Sequence, residues 1–200
     1  MNHLTIKDMT ITGMMTAILC ILSIIPTPFS FFGVPMTLQT FAVALVAYVL
    51  GSKLASLSTL IYLLLGLVGI PVYNGAQAGP AVLFGVTGGF IFGFILEAAF
   101  TGAFVAKPAM NKTLQNVRNL GFGILGLALC HLFGVIQFMI VWNQTSAGNT
   151  KSEAVNLITS FLMVSLPYIP KDIVSVIVAY FLSLALRRAL SSANLLVQVS

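Results

Sequence analysis

Six apolar runs, separated by short segments rich in proline, glycine and charge, constrain this chain more than any other feature. We expect helices over about 9–25, 37–50, 54–70, 80–106, 120–142 and 170–190. The chain is 58% hydrophobic and 6% charged, with a mean hydropathy of +1.05. Soluble domains do not have this composition, and a membrane crossing takes roughly 20 apolar residues. The sequence therefore predicts one all-α integral membrane domain over residues 1–200, with six transmembrane helices in the lipid bilayer.

The basic residues favour one orientation of such a bundle. Placing the N-terminus in the cytoplasm puts most of them in cytoplasmic segments: Lys7, Lys53, Lys107, Lys112, Arg118, Arg187 and Arg188. Only Lys151 and Lys171 then fall outside, which is the bias that the positive-inside rule describes. We therefore expect both termini in the cytoplasm. We expect no nucleic-acid partner, because no basic patch is interleaved with aromatic residues.

The stretch Gly66–Gly93 is the most irregular part of the chain, with the sequence GLVGIPVYNGAQAGPAVLFGVTGGFIFG. So much glycine and proline cannot form one plain helix, and irregular backbone in a bilayer survives only where protein buries it or where it lines a cavity. The six-helix topology places the segments 27–36, 71–79 and 143–169 at the outer face. We expect a short helix over 153–166 there, lying on the membrane or dipping into it.

Neutral polar side chains gather at this outer face. Thr37 and Gln39 begin the second apolar run, where Thr37 could cap the helix and a neighbouring helix could satisfy Gln39. Asn74, Gln77 and Thr87 lie at the same face, which favours a shared pocket for an uncharged polar ligand. The segment 71–79 is expected to act as a lid, since its glycines permit large backbone changes.

The sixth run opens with LPYIPKDIVS, which places one carboxylate near the membrane surface. Asp172 lies in the first helical turn, where the helix dipole stabilises it and Lys171 could pair with it. The alternative is a carboxylate that accepts hydrogen bonds from a ligand N–H group. Tyr168 and Trp142 flank the outer loop as interfacial anchors or as pocket walls.

Other chemically interesting residues have structural interpretations. Glu97 is expected to be protonated or hydrogen-bonded between helices, with a contact to a partner subunit as the alternative. His131 is expected to be an interhelical hydrogen bonder rather than a proton relay. Cys20 and Cys130 fit packing positions. The sequence contains no Walker A motif, no metal-ligand spacing and no Ser/His/Asp set, so we expect no catalytic site, no metal site and no ATP hydrolysis.

Four segments together resemble the BioY family, the biotin-specific membrane subunits (S components) of energy-coupling factor (ECF) transporters. They are VPMTLQT, GIPVYNGAQAGP, FGVTGGFIFGF and LPYIPKD, in that order, and the resemblance extends from Gly13 to Arg188. It implies a six-helix fold in a prokaryotic cell membrane that binds biotin near the outer face, with no covalently bound cofactor. It also implies transport driven by a membrane coupling (T) subunit and two cytosolic ATPase subunits.

The resemblance also implies roles for single residues. Asp172 matches the aspartate that grips the ureido N–H groups of biotin, and Gln77 matches a position that is often an asparagine contacting the same group. The remaining matches are Thr37 and Gln39 near the site, Gly88 and Gly89 where the backbone approaches the ligand, and Gly13 and Ala17 as the small pair that packs against the coupling subunit.

Two departures from the family pattern concern the ligand carboxylate. Ser175 stands where a lysine is usual, and Ile91 stands where some members carry an arginine. Lys171 is then the cation left near the site on this face, and we expect it, or a backbone nest, to take the acid group. The alternatives are the same fold with a biotin precursor or another small vitamin as ligand and, further off, a membrane-embedded enzyme acting on a lipid.

Overall fold

The structure is a computed structural model that describes residues 5–25, 29–105, 111–146, 154–193 and 195. Within these ranges the chain is mostly helical, which confirms the all-α prediction. The helices are α1 (Ile6–Ile24), α2 (Gln39–Leu50), α3 (Ser52–Leu67), α4 (Pro80–Leu83), α5 (Gly88–Thr101), α6 (Lys112–Ser146), α7 (Leu157–Val164) and α8 (Ile169–Ser192). Lys107 and Lys151, used above for the topology, lie outside the described residues.

Three of the helices, α1, α6 and α8, are long and apolar enough to cross a membrane by length and composition. Three further apolar helices in the described part of the chain are of intermediate length, with 12 residues in α2, 16 in α3 and 14 in α5. Local sequence signals explain where several of the helices begin or end. Thr5 and Asp8 form a capping box that begins α1, and Gly51 adopts φ +78° where α2 ends and α3 begins.

The predicted fourth helix, 80–106, is divided in the structure. The chain leaves helical geometry after Leu83 and resumes it at Gly88. The side-chain amide of Gln137 in α6 donates to the carbonyl oxygens of Leu83 at 2.7 Å and Gly85 at 2.8 Å. A distant side chain thus satisfies backbone groups that the break exposes, which is the condition for irregular backbone inside a membrane.

Three further features differ from the prediction. A small hairpin, β1 (Ser30–Phe31) with β2 (Val34–Pro35), precedes α2 and was not expected. Helix α6 begins at Lys112 rather than at about 120, because Asn111 accepts a hydrogen bond from the backbone of Leu114 and starts a polar turn ahead of the apolar run. Helix α7, with eight residues, is shorter than the helix predicted over 153–166.

Helix α2 is the centre of the bundle. Every residue of α2 except Phe41 is buried, and it contacts α1, α3, α5 and α8. The most extensive helix contact joins α5 to α6. Glycines bring these two backbones together: a Cβ at Gly93 would lie 2.8 Å from Cys130 Cα, and a Cβ at Gly89 would lie 2.4 Å from the carbonyl oxygen of Phe133.

Hydrogen bonds fix the two ends of the bundle. At one end Lys171 Nζ, in the first turn of α8, donates to the carbonyl oxygen of Thr37 beside the start of α2 at 2.7 Å. At the other end Arg187 Nη1 in α8 donates to the carbonyl oxygen of Val49 in α2, also at 2.7 Å. The first end contains the candidate pocket.

Candidate ligand pocket

A cavity of about 60 Å³ lies where α2, α5 and α8 begin and the chain between α3 and α4 crosses over them. Its wall combines polar side chains with apolar ones such as Val82, Phe90 and Val164. Eight residues predicted from the sequence line it: Thr37, Gln39, Asn74, Gln77, Thr87, Tyr168, Lys171 and Asp172. The fold therefore brings side chains from four separate sequence segments to one place.

Asp172 is the buried anion of the pocket, with only 4% of its surface exposed. Its Oδ1 lies 2.5 Å from Lys171 Nζ, and its Oδ2 lies 3.3 Å from His131 Nε2. The predicted pairing with Lys171 is present, and the carboxylate also faces the cavity. A buried carboxylate needs such partners, because an unpaired charge in a low-dielectric interior costs several kcal/mol.

Thr37 and Gln39 lie on either side of Leu38, which is the N-cap residue of α2 and has no side-chain cap hydrogen bond. Thr37 Oγ1 accepts from the backbone N–H of Gln39 at 3.2 Å, and Gln39 Nε2 donates to Tyr62 Oη at 2.6 Å. Both side chains also line the cavity. The predicted capping by Thr37 is wrong, because its hydroxyl bonds only the N–H two residues later, in the turn before the helix. The predicted satisfaction of Gln39 by a neighbouring helix is confirmed, since Tyr62 belongs to α3.

The segment between α3 and α4 closes one side of the pocket. It contains a short 3-10 turn, Asn74–Ala76, in which Gly75 and Ala76 have positive φ. Asn74 Oδ1 is buried and has no hydrogen-bond partner among the described residues. Tyr73 anchors the segment, since its hydroxyl donates to the carbonyl oxygen of Leu63 at 2.6 Å. Burial raises the pKa of Tyr73 to about 12, so this donor remains protonated.

Tyr168 forms part of the wall beside the hairpin. It is 4% exposed, and its hydroxyl donates to the carbonyl oxygen of Val34 in β2. Trp142 is not among the cavity-lining residues and stacks on Phe138 with ring centroids 5.3 Å apart. Of the two aromatic residues considered above, the structure brings Tyr168 to the pocket.

Gly88 and Gly89 are not among the residues that line the cavity. A Cβ at Gly88 would lie 1.7 Å from the carbonyl oxygen of Leu83, and Gly89 lies against α6. In this structure the two glycines permit the helix break and the α5–α6 contact.

Sequence reasoning gave too little weight to several lining residues, chiefly His131, Cys130, Phe90 and Phe94. All four lie in the middle of apolar runs, where a local pattern cannot separate a pocket wall from lipid-facing or packed surface. Of the two departures from the family pattern, Ile91 lines the cavity. Ser175 is buried in α8 and is not among the cavity-lining residues.

Two further predictions concern the environment of Glu97, which does not line this cavity, and the presence of a metal site. Glu97 is fully buried in α5, beside the Cys130 thiol, and neither carboxyl oxygen has a hydrogen-bond partner among the described residues. The described residues contain no group of three or more His, Cys, Asp or Glu side chains placed to hold a metal ion.

Comparison with known proteins places the chain in a family. The model of the BioY family matches residues 1–192. The Biotin transporter BioY of Thermotoga maritima is 34% identical over 88% of this chain and 93% of its own length, and the Biotin transporter BioY2 of Lactococcus lactis subsp. cremoris is 33% identical over 97% of each. The crystal structure of the S-component for biotin from an ECF-type ABC transporter superposes with a TM-score of 0.76, at 26% identity and 92% coverage of both chains. The chain belongs to the BioY family.

Proposed function

We propose that this chain is the substrate-binding membrane subunit of an ECF-type vitamin transporter, that its substrate is biotin, and that it is not an enzyme. The observation that carries the proposal is the mixed polar and apolar pocket around Asp172 in a chain whose relatives are named biotin transporters. Small-molecule sites typically combine an apolar wall with a few convergent polar groups.

The polar groups of the pocket suit a cyclic urea. Asp172 has acceptor capacity for ligand N–H groups, and the buried Asn74 Oδ1 is a second acceptor without a partner among the described residues. Thr37, Gln77 and Thr87 offer donors for a urea carbonyl. The apolar lining side chains would cover the fused ring and the aliphatic tail.

Titration calorimetry of the purified, ligand-free protein with biotin and then with biotin methyl ester tests this function. We expect biotin to bind tightly and the ester to bind about tenfold or more weakly, since a charge-assisted hydrogen bond contributes about 1.5–3 kcal/mol. Equal binding of both would mean that the acid group is not recognised. Binding of neither would refute biotin as the ligand, and a screen of biotin precursors and other vitamins would follow.

Lys171 is our proposed partner for the ligand carboxylate. Its ammonium group has three N–H donors, and the contacts to Asp172 and to the carbonyl oxygen of Thr37 account for two of them. Lys171 is also part-exposed, with 27% of its side-chain surface accessible. The third donor is therefore available to a ligand acid. It would compensate for the lysine and the arginine that Ser175 and Ile91 replace at the two family positions.

Replacing Lys171 by alanine should weaken biotin binding about tenfold while changing the affinity for the methyl ester much less. The ester serves as the control, because any indirect effect through Asp172 acts on both ligands alike. Calorimetry with both ligands measures the difference. An unchanged preference for biotin over its ester in the Lys171→Ala protein would eliminate the lysine as the carboxylate partner.

The pocket must open before it can hold biotin. A volume of about 60 Å³ is several-fold below the roughly 300–1,000 Å³ of small-molecule sites. We propose that the segment 71–79 moves as the lid. Gly75 and Gly79 have φ of +64° and +92°, and glycine passes between such conformations at little steric cost.

We further propose six membrane crossings with both termini in the cytoplasm, in a prokaryotic cell membrane. Helices α4 and α5 together would make one crossing, and α7 would lie at the outer face. The arrangement of the ends supports this topology, because Lys171 belongs to the pocket end and Arg187 to the opposite end. The short helices α2, α3 and α5 are packed within the bundle rather than isolated in lipid.

Coupling to ATP hydrolysis would require partners, namely a membrane T subunit and two cytosolic ATPase subunits. We propose that Gly13 and Ala17 on α1 form the contact with the T subunit. Both residues are exposed, and a Cβ added at Gly13 would meet nothing within 4 Å. A surface of small residues lets a partner helix approach closely within the membrane.

A further inference from the structure

A continuous chain of polar contacts runs along one wall of the pocket. It passes from Ser165 through His131, Asp172 and Lys171 to the backbone of Thr37. Ser165, His131 and Asp172 are buried, with 0%, 6% and 4% of their surfaces exposed. The chain joins α6 to the segment before α8, to α8 itself and to the start of α2.

The His131 ring is held on three sides. Its Nδ1 lies 3.0 Å from Ser165 Oγ, its Nε2 lies 3.3 Å from Asp172 Oδ2, and its plane is perpendicular to the Phe90 ring at a centroid distance of 5.8 Å. A carboxylate only accepts hydrogen bonds, so the nitrogen that faces it must carry a proton. Ser165 Oγ can accept from or donate to the other nitrogen, which makes it compatible with that assignment.

The two partners of Asp172 approach different oxygens. Lys171 contacts Oδ1 and His131 contacts Oδ2, so each carboxylate oxygen has a partner and the orientation of the carboxylate plane is fixed. An ionised carboxylate has about four lone-pair sites. Two remain for a ligand, and their directions depend on the orientation that His131 and Lys171 impose.

We propose that His131 is a positioning residue for ligand recognition: its Nε2–H orients the Asp172 carboxylate toward the ligand, and Ser165 holds the ring in place. The inference rests on the proposed function in that Asp172 is taken as the ligand's acceptor. Fixing an acceptor before binding raises affinity, because less conformational freedom is lost in the complex.

Two matched variants separate orientation of Asp172 from general packing. Glutamine places its amide nitrogen near the position of histidine Nε2, whereas asparagine places it near Nδ1. His131→Gln therefore keeps the donor to Asp172, and His131→Asn keeps only the partner of Ser165. We expect biotin affinity within about threefold of wild type for His131→Gln and about tenfold weaker for His131→Asn.

A double-mutant cycle with Asp172→Asn provides the decisive comparison. If His131 acts through Asp172, then His131→Asn should change biotin affinity less than about twofold once the carboxylate has been removed. An equal loss in both backgrounds would overturn the proposal, because His131 would then act independently of Asp172. Equal affinities of the Gln and Asn variants would also overturn it.

A measurement without ligand distinguishes failure of this inference from failure of the proposed function. The chain has two histidines, so a His3→Gln variant leaves His131 as the single one. Nitrogen-15 NMR of histidine-labelled protein in lipid vesicles reports which ring nitrogens carry protons. We expect a proton on Nε2 whether or not biotin binds, and a proton on Nδ1 alone would overturn the inference even if biotin binds tightly.

Discussion

Replacing Asp172 by asparagine is expected to weaken biotin binding about ten- to a hundredfold. The substitution keeps the size of the side chain but removes its charge and turns one of its acceptors into a donor. Hydrogen bonds to charged groups contribute about 1.5–3 kcal/mol each, which corresponds to this range of affinity. The new amide group would also point N–H atoms toward Lys171 or His131, both of which are placed as donors to the present carboxylate. Calorimetry on the purified variant measures the loss.

The matched control for this experiment is Asp8→Asn. Asp8 lies in the first turn of α1, where it forms a capping box with Thr5, and it does not line the pocket. We expect the control to lower thermal stability slightly and to leave biotin affinity unchanged. Wild-type affinity in the Asp172→Asn protein would refute the role assigned to Asp172. A parallel loss in the control would show that the method responds to stability rather than to the site.

Replacing Gly89 by alanine is expected to destabilise the protein by about 1–3 kcal/mol, because the contact between α5 and α6 has no room for a methyl group there. The new Cβ would lie 2.4 Å from the carbonyl oxygen of Phe133 and 3.0 Å from Gly134 Cα. Both are backbone atoms, so α5 and α6 must separate. Thermal unfolding of the ligand-free protein in detergent should show a midpoint lower by about 2–12 °C.

Gly121→Ala is the control for that experiment. Gly121 lies in α6, and a Cβ there would meet nothing within 4 Å. Alanine has the better helix propensity, so this change should leave the stability unaltered or raise it by up to about 1 kcal/mol.

The comparison of the two variants also separates two possible roles for Gly89, close approach of the ligand and close packing of α5 against α6. If Gly89 served only close approach of the ligand, then Gly89→Ala would lower biotin affinity without lowering the unfolding midpoint of the ligand-free protein.

The sequence predicts the parts of this fold that depend on local patterns. Apolar runs predicted the long helices, and polar residues at or between the ends of those runs, such as Thr37, Asn74 and Asp172, predicted much of the polar part of the pocket wall. The break between α4 and α5 could not be predicted from local sequence, because its carbonyl groups are satisfied by Gln137, about fifty residues later in the chain. The contact of His131 with Asp172 could not be predicted from local sequence either, because the two residues meet only when α6 packs beside α8.

The glycines illustrate a different limit of sequence reasoning. Family resemblance implied that Gly88 and Gly89 bring the backbone to the ligand, whereas the structure places both against other backbone atoms within the bundle. A glycine in a helix shows only that something comes close. Whether that neighbour is a ligand, a second helix or a turn depends on tertiary packing.

The buried central helix has a consequence for the electrical properties of the membrane. From Ala42 to Leu50, each residue of α2 is at most 4% exposed, so packed side chains fill the axis of the bundle below the pocket. An ion entering that dry interior would lose its hydration at a cost of several kcal/mol. A cell could therefore hold many idle copies of this subunit and still maintain its proton and sodium gradients across the bilayer.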